Sequence, residues 1–169
     1  MKVNELPKTD FEDNETNCCP RFYPDPWDEQ EFIFEDKLFL KASTLNFLHR
    51  PLNMSSVMDR TWKKIKEANA DSDGEFALLS HDPSPWRGEH YFTIAGEVPG
   101  GENVRMSGTF LTKVLEGPYK EARSWAPQME DYVKSQDKEI DKLYFYYTTC
   151  PKCAKHYGKN YVVGFAKVK

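Results

Sequence analysis

The sequence predicts an α+β domain in which two strand-helix-strand-strand units form an antiparallel sheet, with helices on one face and a central ligand cleft between the halves. Three observations predict it. Short apolar strands are interrupted twice by a single amphipathic helix, and the element order of the first half returns in the second. Aromatic residues make up 14% of the chain and sit mostly in alternating runs, the pattern of strands that bury rings.

Residues 1–17 (MKVNELPKTDFEDNETN) are polar and acidic without an apolar period, which predicts a flexible tail. Residues 18–36 open with CCPRFYPDPW, whose prolines and rings suit an extended arm covering part of the core. The domain itself spans 37–169, with the first repeat over 37–98 and the second over 104–169. In the first, KLFLKA (37–42) reads as a strand, and 54–70 as a helix carrying Met54, Val57, Met58, Thr61, Trp62 and Ile65 on one stripe, capped by Asn53 or Ser55. EFALLS (75–80) and YFTIAGEV (91–98) read as strands joined by the Pro-rich connection HDPSPWRGEH. The second repeat offers a strand over 107–116, a helix over 118–135 that Pro127 kinks or restarts, and strands over 143–148 and 161–168 joined by a CPKC turn. An offset of 67 carries Met58 onto Trp125, Ile65 onto Tyr132 and EFALLS onto KLYFYY, and an offset of 70 carries YFTIAGEV onto YVVGFAKV.

Composition removes several function classes. A net charge of −4 argues against nucleic acid as a partner, since that binding rests on clustered Lys and Arg. No apolar run approaches the ~20 residues of a bilayer span, and the N-terminus lacks the basic-then-apolar pattern of a secretory signal, so a cytoplasmic protein is expected, as a monomer or weak homodimer. Its four cysteines are then expected as reduced thiols. Nucleotide motifs are absent, because GEVPGG (96–101) has neither the spacing nor the Lys of a phosphate cradle, and no cofactor is expected.

Residues 111–133 (LTKVLEGPYKEARSWAPQMEDYV), with Glu116-Gly117-Pro118-Tyr119 followed by Trp125 as the most specific piece, resemble the strand, Gly-Pro-Tyr, helix element of GyrI-like small-molecule-binding domains. These domains also serve as effector-binding halves of multidrug-sensing regulators. The resemblance covers roughly 37–169 and implies a duplicated strand-helix-strand-strand fold with its ligand cleft at a pseudo-two-fold axis. It implies one of two activities: passive binding of aromatic, often cationic xenobiotics, or hydrolysis of strained cyclopropane rings in DNA-alkylating natural products. With no winged-helix segment ahead of the domain, the stand-alone form is expected. Family members often carry a key carboxylate in the last strand of the second unit; YVVGFAKV has none, so Glu97 or Glu116 would substitute.

Glu97, at the expected end of a strand, is read as the residue that pairs with a cationic ligand or activates water, with Glu116 as the other acid. In Tyr144-Phe145-Tyr146-Tyr147, strand alternation sets Tyr144 and Tyr146 on one face and Phe145 and Tyr147 on the other. One face meets the helices and the other lines the cleft, where Tyr146 or Tyr119 would donate a hydrogen bond to developing charge. Tyr119 and Trp125 match the aromatic positions of the resemblance, and Trp62 joins the ligand-binding set although its stripe position suits the core better. Cys150-Pro151-Lys152-Cys153 with His156 has the spacing of half a zinc site, completed only by Cys18-Cys19 or another His; a tight strand connection explains it more simply, and no metal is expected. His49, His81 and His90 accompany no nucleophile elbow or HExxH pattern, although His81 can face the cleft. A third reading makes the tail and arm, residues 1–36, an adaptor for a protein partner.

Overall fold

The computed structural model describes residues 3–10, 12–17, 19–72 and 74–169, and only the backbone of Tyr119, Lys120 and Pro151. The chain runs β1 (Glu31–Phe47), β2 (Arg50–Pro51), α1 (Met54–Glu67), β3 (Leu78–Ser84), β4 (Arg87–Thr93), β5 (Glu102–Glu116), a 3₁₀ turn (Tyr119–Ser124), α2 (Trp125–Ser135), β6 (Ile140–Tyr147), α3 (Pro151–Tyr157) and β7 (Tyr161–Val168). Every pairing between named strands is antiparallel.

The sheet closes on itself. Its order is β2-β1-β4-β3-β6-β7-β5, and β5 returns to pair with β1. β1 pairs with β4 along one edge and with β5 along the other, and its pairing with β5 shifts register between Phe34 and Lys37, where Asp36 adopts φ 50°. Such a bulge bends a strand and raises its twist, the deformation that closing a sheet requires. The seam between β3 and β6 is the slender one, a single register pair of Ser80 with Phe145.

Alternation divides the core in two. On β7, Val163 and Phe165 join the main core, while Val162, Ala166 and Val168 pack under α2 with Trp125, Met129, Tyr132 and Val133. Gly164 is required there, since a Cβ would collide with the Met129 side chain. On β6 the same alternation sends Tyr144 and Tyr146 into the main core and Phe145 toward Trp125, so the two faces expected for this strand are the two faces observed. α1 lays Val57, Thr61 and Ile65 inward, and Trp62 packs on Phe76 and Phe92. Asn53 occupies the N-cap of α1 but makes no capping bond; its Oδ1 accepts instead from the Leu45 amide of β1 at 2.9 Å.

Several expectations are revised. The segment 81–90, read as a connection, supplies most of the β3–β4 hairpin, with a register shift between His81 and Ser84 that accommodates Pro83. β4 in turn stops at Thr93, so Glu97 lies in the following loop rather than on a strand. The helix over 118–135 is a 3₁₀ turn followed by α2, and Pro127 falls in the first turn of α2, where its missing N–H costs little. CPKC is not a turn: Cys150 is the N-cap of α3, Pro151 occupies its first position, and Gly158 ends it at φ 84°. Within 1–17, Val3 bridges Ile33 and Leu6 is buried. Trp27, in the segment read as an arm, plugs one end of the barrel against Phe22, Phe32, Tyr146 and Phe165, while Asp28 accepts from the Val114 amide at 2.9 Å. Among the described residues no helix is long and apolar enough to cross a membrane.

Candidate functional site

Away from Trp27, the surface carries a shallow groove of about 340 Å³. Its floor is Tyr91 of β4, Phe110 of β5 and Tyr144 of β6. Tyr91 meets Tyr144 edge-on at 5.8 Å with planes at 90°, and Phe110 lies 6.3 Å from Tyr144 on the other side. Burial raises the ionisation of both tyrosines above the ordinary phenol range, so each keeps its proton and remains a hydrogen-bond donor.

The wall above this floor is basic. Lys41, Arg105, Lys142 and Lys167 line the groove, with Asp141 as the acid among its lining residues. Lys41 stands beside its cross-strand partner Tyr91, and its Nζ bridges Glu89 at 2.7 Å and Glu102 at 3.6 Å. The hydrogen bond to Lys41 holds the Glu89 carboxyl below its usual range and raises the Lys41 ammonium, which makes Glu89 a poor proton acceptor. Lys142 and Lys167 are direct cross-strand partners on β6 and β7. Like charges so placed repel, typically by a few tenths of a kcal/mol or more. Asp141 comes within 4.0 Å of Lys167, and the Lys142 ammonium sits 5.2 Å from the centre of the Tyr144 ring. The Lys167 stem passes close over Gly108, at φ 140°, where a Cβ would come within 2.8 Å of it. Chemically, the groove offers flat apolar surface, phenolic donors and converging cations.

Among the described side chains singled out in the sequence, Tyr144 alone lines this groove. Tyr146 shares its face but lies deeper, enclosed by Phe22, Trp27 and Phe76, with its phenol pushed well up by burial. Trp125 is buried on the far side of the sheet beside Phe145 and Tyr147, and Trp62 belongs to the packing of α1. Glu97 is exposed and pairs with Arg105 at 3.8 Å, just outside the groove. Glu116 pairs with Lys159 at 3.7 Å and stands six strand positions beyond Phe110, roughly 20 Å away. The side chain of Tyr119 lies outside the described residues, as does Cys18. His81 meets Tyr144 edge-on at 5.9 Å, while His90 is buried between Thr44 and Ser80.

Sequence reasoning missed Tyr91, Phe110 and the four basic residues. A signal was present in part: Lys41, Lys142 and Lys167 each interrupt an apolar strand at a position whose alternation points inward. Their convergence depends on the pairing of β1, β6 and β7, which no local pattern states.

A family model described as "Bacterial hydrolase" matches residues 9–168. Among solved structures, an uncharacterized conserved protein from Listeria innocua aligns with a TM-score of 0.59 at 12% identity, covering 96% of this chain and 100% of that one. The structure of SAV2435 bound to tetraphenylphosphonium aligns with a TM-score of 0.53 at 9% identity, covering 84% of this chain and 94% of that one. No curated protein matches. At such identities the structural likeness establishes the fold alone, whereas the family match spans nearly the whole chain, which belongs to the bacterial hydrolase family.

Proposed function

We propose that this member of the bacterial hydrolase family is a cytosolic small-molecule-binding protein whose groove takes a flat aromatic ligand bearing an acidic group. The observation that carries the reading is the cross-strand pair Lys142 and Lys167, two like charges set side by side above the Tyr91, Phe110 and Tyr144 floor. Such a pair weakens the sheet unless negative charge offsets it; Asp141, 4.0 Å from Lys167, offsets it in part, and an acidic ligand group between the ammonium groups would complete the balance. A ring system would lie on the tyrosines, whose hydroxyls orient it. SAV2435 binds a large aromatic cation; here a cation would have to face four basic side chains, and Glu89 is already committed to Lys41.

The wider GyrI-like reading, including internal duplication, is supported by the order β1-α1-β3-β4 followed by β5-α2-β6-β7. It is supported also by the exchange of neighbours this implies, since β1 pairs with β5 and β3 with β6. Under it, the groove is the ligand site of the resemblance, displaced from the barrel centre because rings fill that centre.

Turnover is the second reading, favoured by the family and by Asp141, a carboxylate that lines the groove on the same strand as Tyr144. Asp141 would accept a proton from water while Tyr144 donates to the developing charge. Glu97 and Glu116 fit this role less well, since each is tied to a surface cation outside the groove.

A fluorescent naphthalene sulfonate and tetraphenylphosphonium, titrated in parallel, test the proposal. The sulfonate should bind, with affinity falling as salt rises. Lys142→Gln and Lys167→Gln should each weaken it about three- to tenfold and Tyr144→Ala by tenfold or more, each tenfold step corresponding to about 1.4 kcal/mol. Tighter binding of the cation, or a sulfonate affinity indifferent to all three changes, would sink it. Mass analysis after incubation with an aromatic acid carrying a cyclopropane electrophile separates binding from hydrolysis, and Asp141→Asn should abolish any conversion.

A further inference from the structure

Three of the chain's four cysteines meet at one place far from the groove. The sulfurs of Cys19, Cys150 and Cys153 all lie within 4.8 Å of one another, with Cys150 and Cys153 at 3.3 Å. Cys19 comes from the segment ahead of β1, separated from Cys150 by 131 positions. On a tetrahedral zinc ion with Zn–S bonds near 2.3 Å, thiolate sulfurs sit about 3.8 Å apart, inside the observed spread. We infer that Cys19, Cys150 and Cys153 form a thiolate site for a zinc-class divalent ion, fastening the N-terminal segment to the connection between β6 and β7.

The surroundings are those of a held ligand set. The Cys150 amide donates to Cys19 Sγ at 3.5 Å, the kind of outer contact that orients a metal-bound sulfur. Tyr157 Oη donates to the Cys19 carbonyl at 2.7 Å, and the Arg21 guanidinium lies 4.6 Å over the Tyr157 ring, so α3 and the segment around Cys19 are already docked. Cys153 is fully buried and Cys19 and Cys150 are partly so, which shields thiolate–metal bonds from water while leaving an approach. His156, which the sequence alone would nominate as a ligand, instead reaches Glu15 at 3.2 Å. One more donor completes a tetrahedron; Cys18 is adjacent in sequence and lies outside the described residues, and the inference rests on the three thiols alone. Each thiol that binds releases its proton to solvent, so loading consumes no oxidant and weakens as pH falls.

The test uses the full chain, reduced and freed of metal by a chelator. One equivalent of zinc should bind, raise the melting temperature by about 5 °C or more at a hundredfold excess over Kd, and protect Cys19, Cys150 and Cys153 from iodoacetamide, as mapped by mass. Cobalt(II) in its place should give sulfur-to-metal charge-transfer absorption. Cys19→Ala should weaken zinc binding at least a hundredfold, and His156→Ala should leave it unchanged. Cys153→Ser probes the buried ligand, and alkylation mapping of the unaltered chain keeps the inference testable should that variant misfold. Three results would overturn it: no cobalt–thiolate absorption from the reduced chain, equal zinc affinity in Cys19→Ala, or a reversible Cys150–Cys153 disulfide in a chain that binds no zinc when reduced.

Discussion

The two ends of the barrel are made from the same strands and have opposite characters. At one end Phe22 and Trp27 close over Tyr146 and Phe165, and rings meet rings at 5.5 to 6.4 Å. At the other, Tyr91, Phe110 and Tyr144 are left beneath a groove walled by lysines. The difference lies in the side chains at each: a Pro-rich segment supplies Phe22 and Trp27 to the first, whereas Lys41, Arg105, Lys142 and Lys167 line the second. One end is closed by packed rings, and the other is the end to which the proposed ligand is assigned.

The strongest way to break this contrast is at Trp27, only 3% exposed. Trp27→Ala removes the plug and opens a cavity, and substitutions of this kind cost about 3–5 kcal/mol, or roughly 10 °C in melting temperature for a chain of this size. Chemical denaturation should register that loss while the folded fraction, held at low temperature, still binds the sulfonate probe within about twofold. Loss of probe binding in step with stability would mean that the two ends are one unit.

A second, smaller effect sharpens the contrast by acting on neither end. His90 is buried in the sheet, with its ring nitrogens 3.0 Å from Thr44 Oγ1 and 2.8 Å from Ser80 Oγ. Burial lowers its pKa, only partly opposed by Asp82 and Glu89. The folded chain thus takes up the His90 proton at lower pH than the unfolded chain does. Stability from this group is fully present above the unfolded value of about 6.5 and is lost as pH falls below it, by at most about 1.4 kcal/mol per pH unit. Urea unfolding between pH 7.5 and 5.5 should show stability falling toward acid, and the slope should flatten in His90→Asn. A flat wild-type profile would mean that the ring does not change charge on unfolding.

What the sequence disclosed follows the range of the forces involved. The faces of Tyr144 and Tyr146 were legible because alternation along a strand is local geometry. The end of β4 at Thr93 was not, because Ile94 and Val98 are buried by contacts other than strand pairing, so apolar character outran the ladder. α3 was legible in principle, with Pro151 at its first position and Gly158 at its end, but seven residues are too few to show a helical period. The groove was the least legible feature. Lys41, Arg105, Lys142 and Lys167 come from four strands, and only the closure of the sheet through β1 and β5 brings them together.

The smallest effect belongs to the residue the sequence favoured most. Glu97 has a side chain 70% exposed, and its partner Arg105 is 53% exposed at 3.8 Å. Such a pair contributes under about 1 kcal/mol and is further screened by salt. Glu97→Gln should therefore leave stability within about 0.5 kcal/mol of the unaltered chain. Its effect on ligands is more telling, because Arg105 also lines the groove. Removing the carboxylate leaves Arg105 less neutralised, so the sulfonate should bind slightly tighter, by up to about threefold, at low salt. If Glu97 instead gripped a cation, the same substitution would weaken tetraphenylphosphonium and leave the sulfonate unchanged. A more positive groove would weaken tetraphenylphosphonium in either case, so the sulfonate discriminates: tighter binding supports a groove that receives anions, and unchanged binding supports a Glu97 that grips cations.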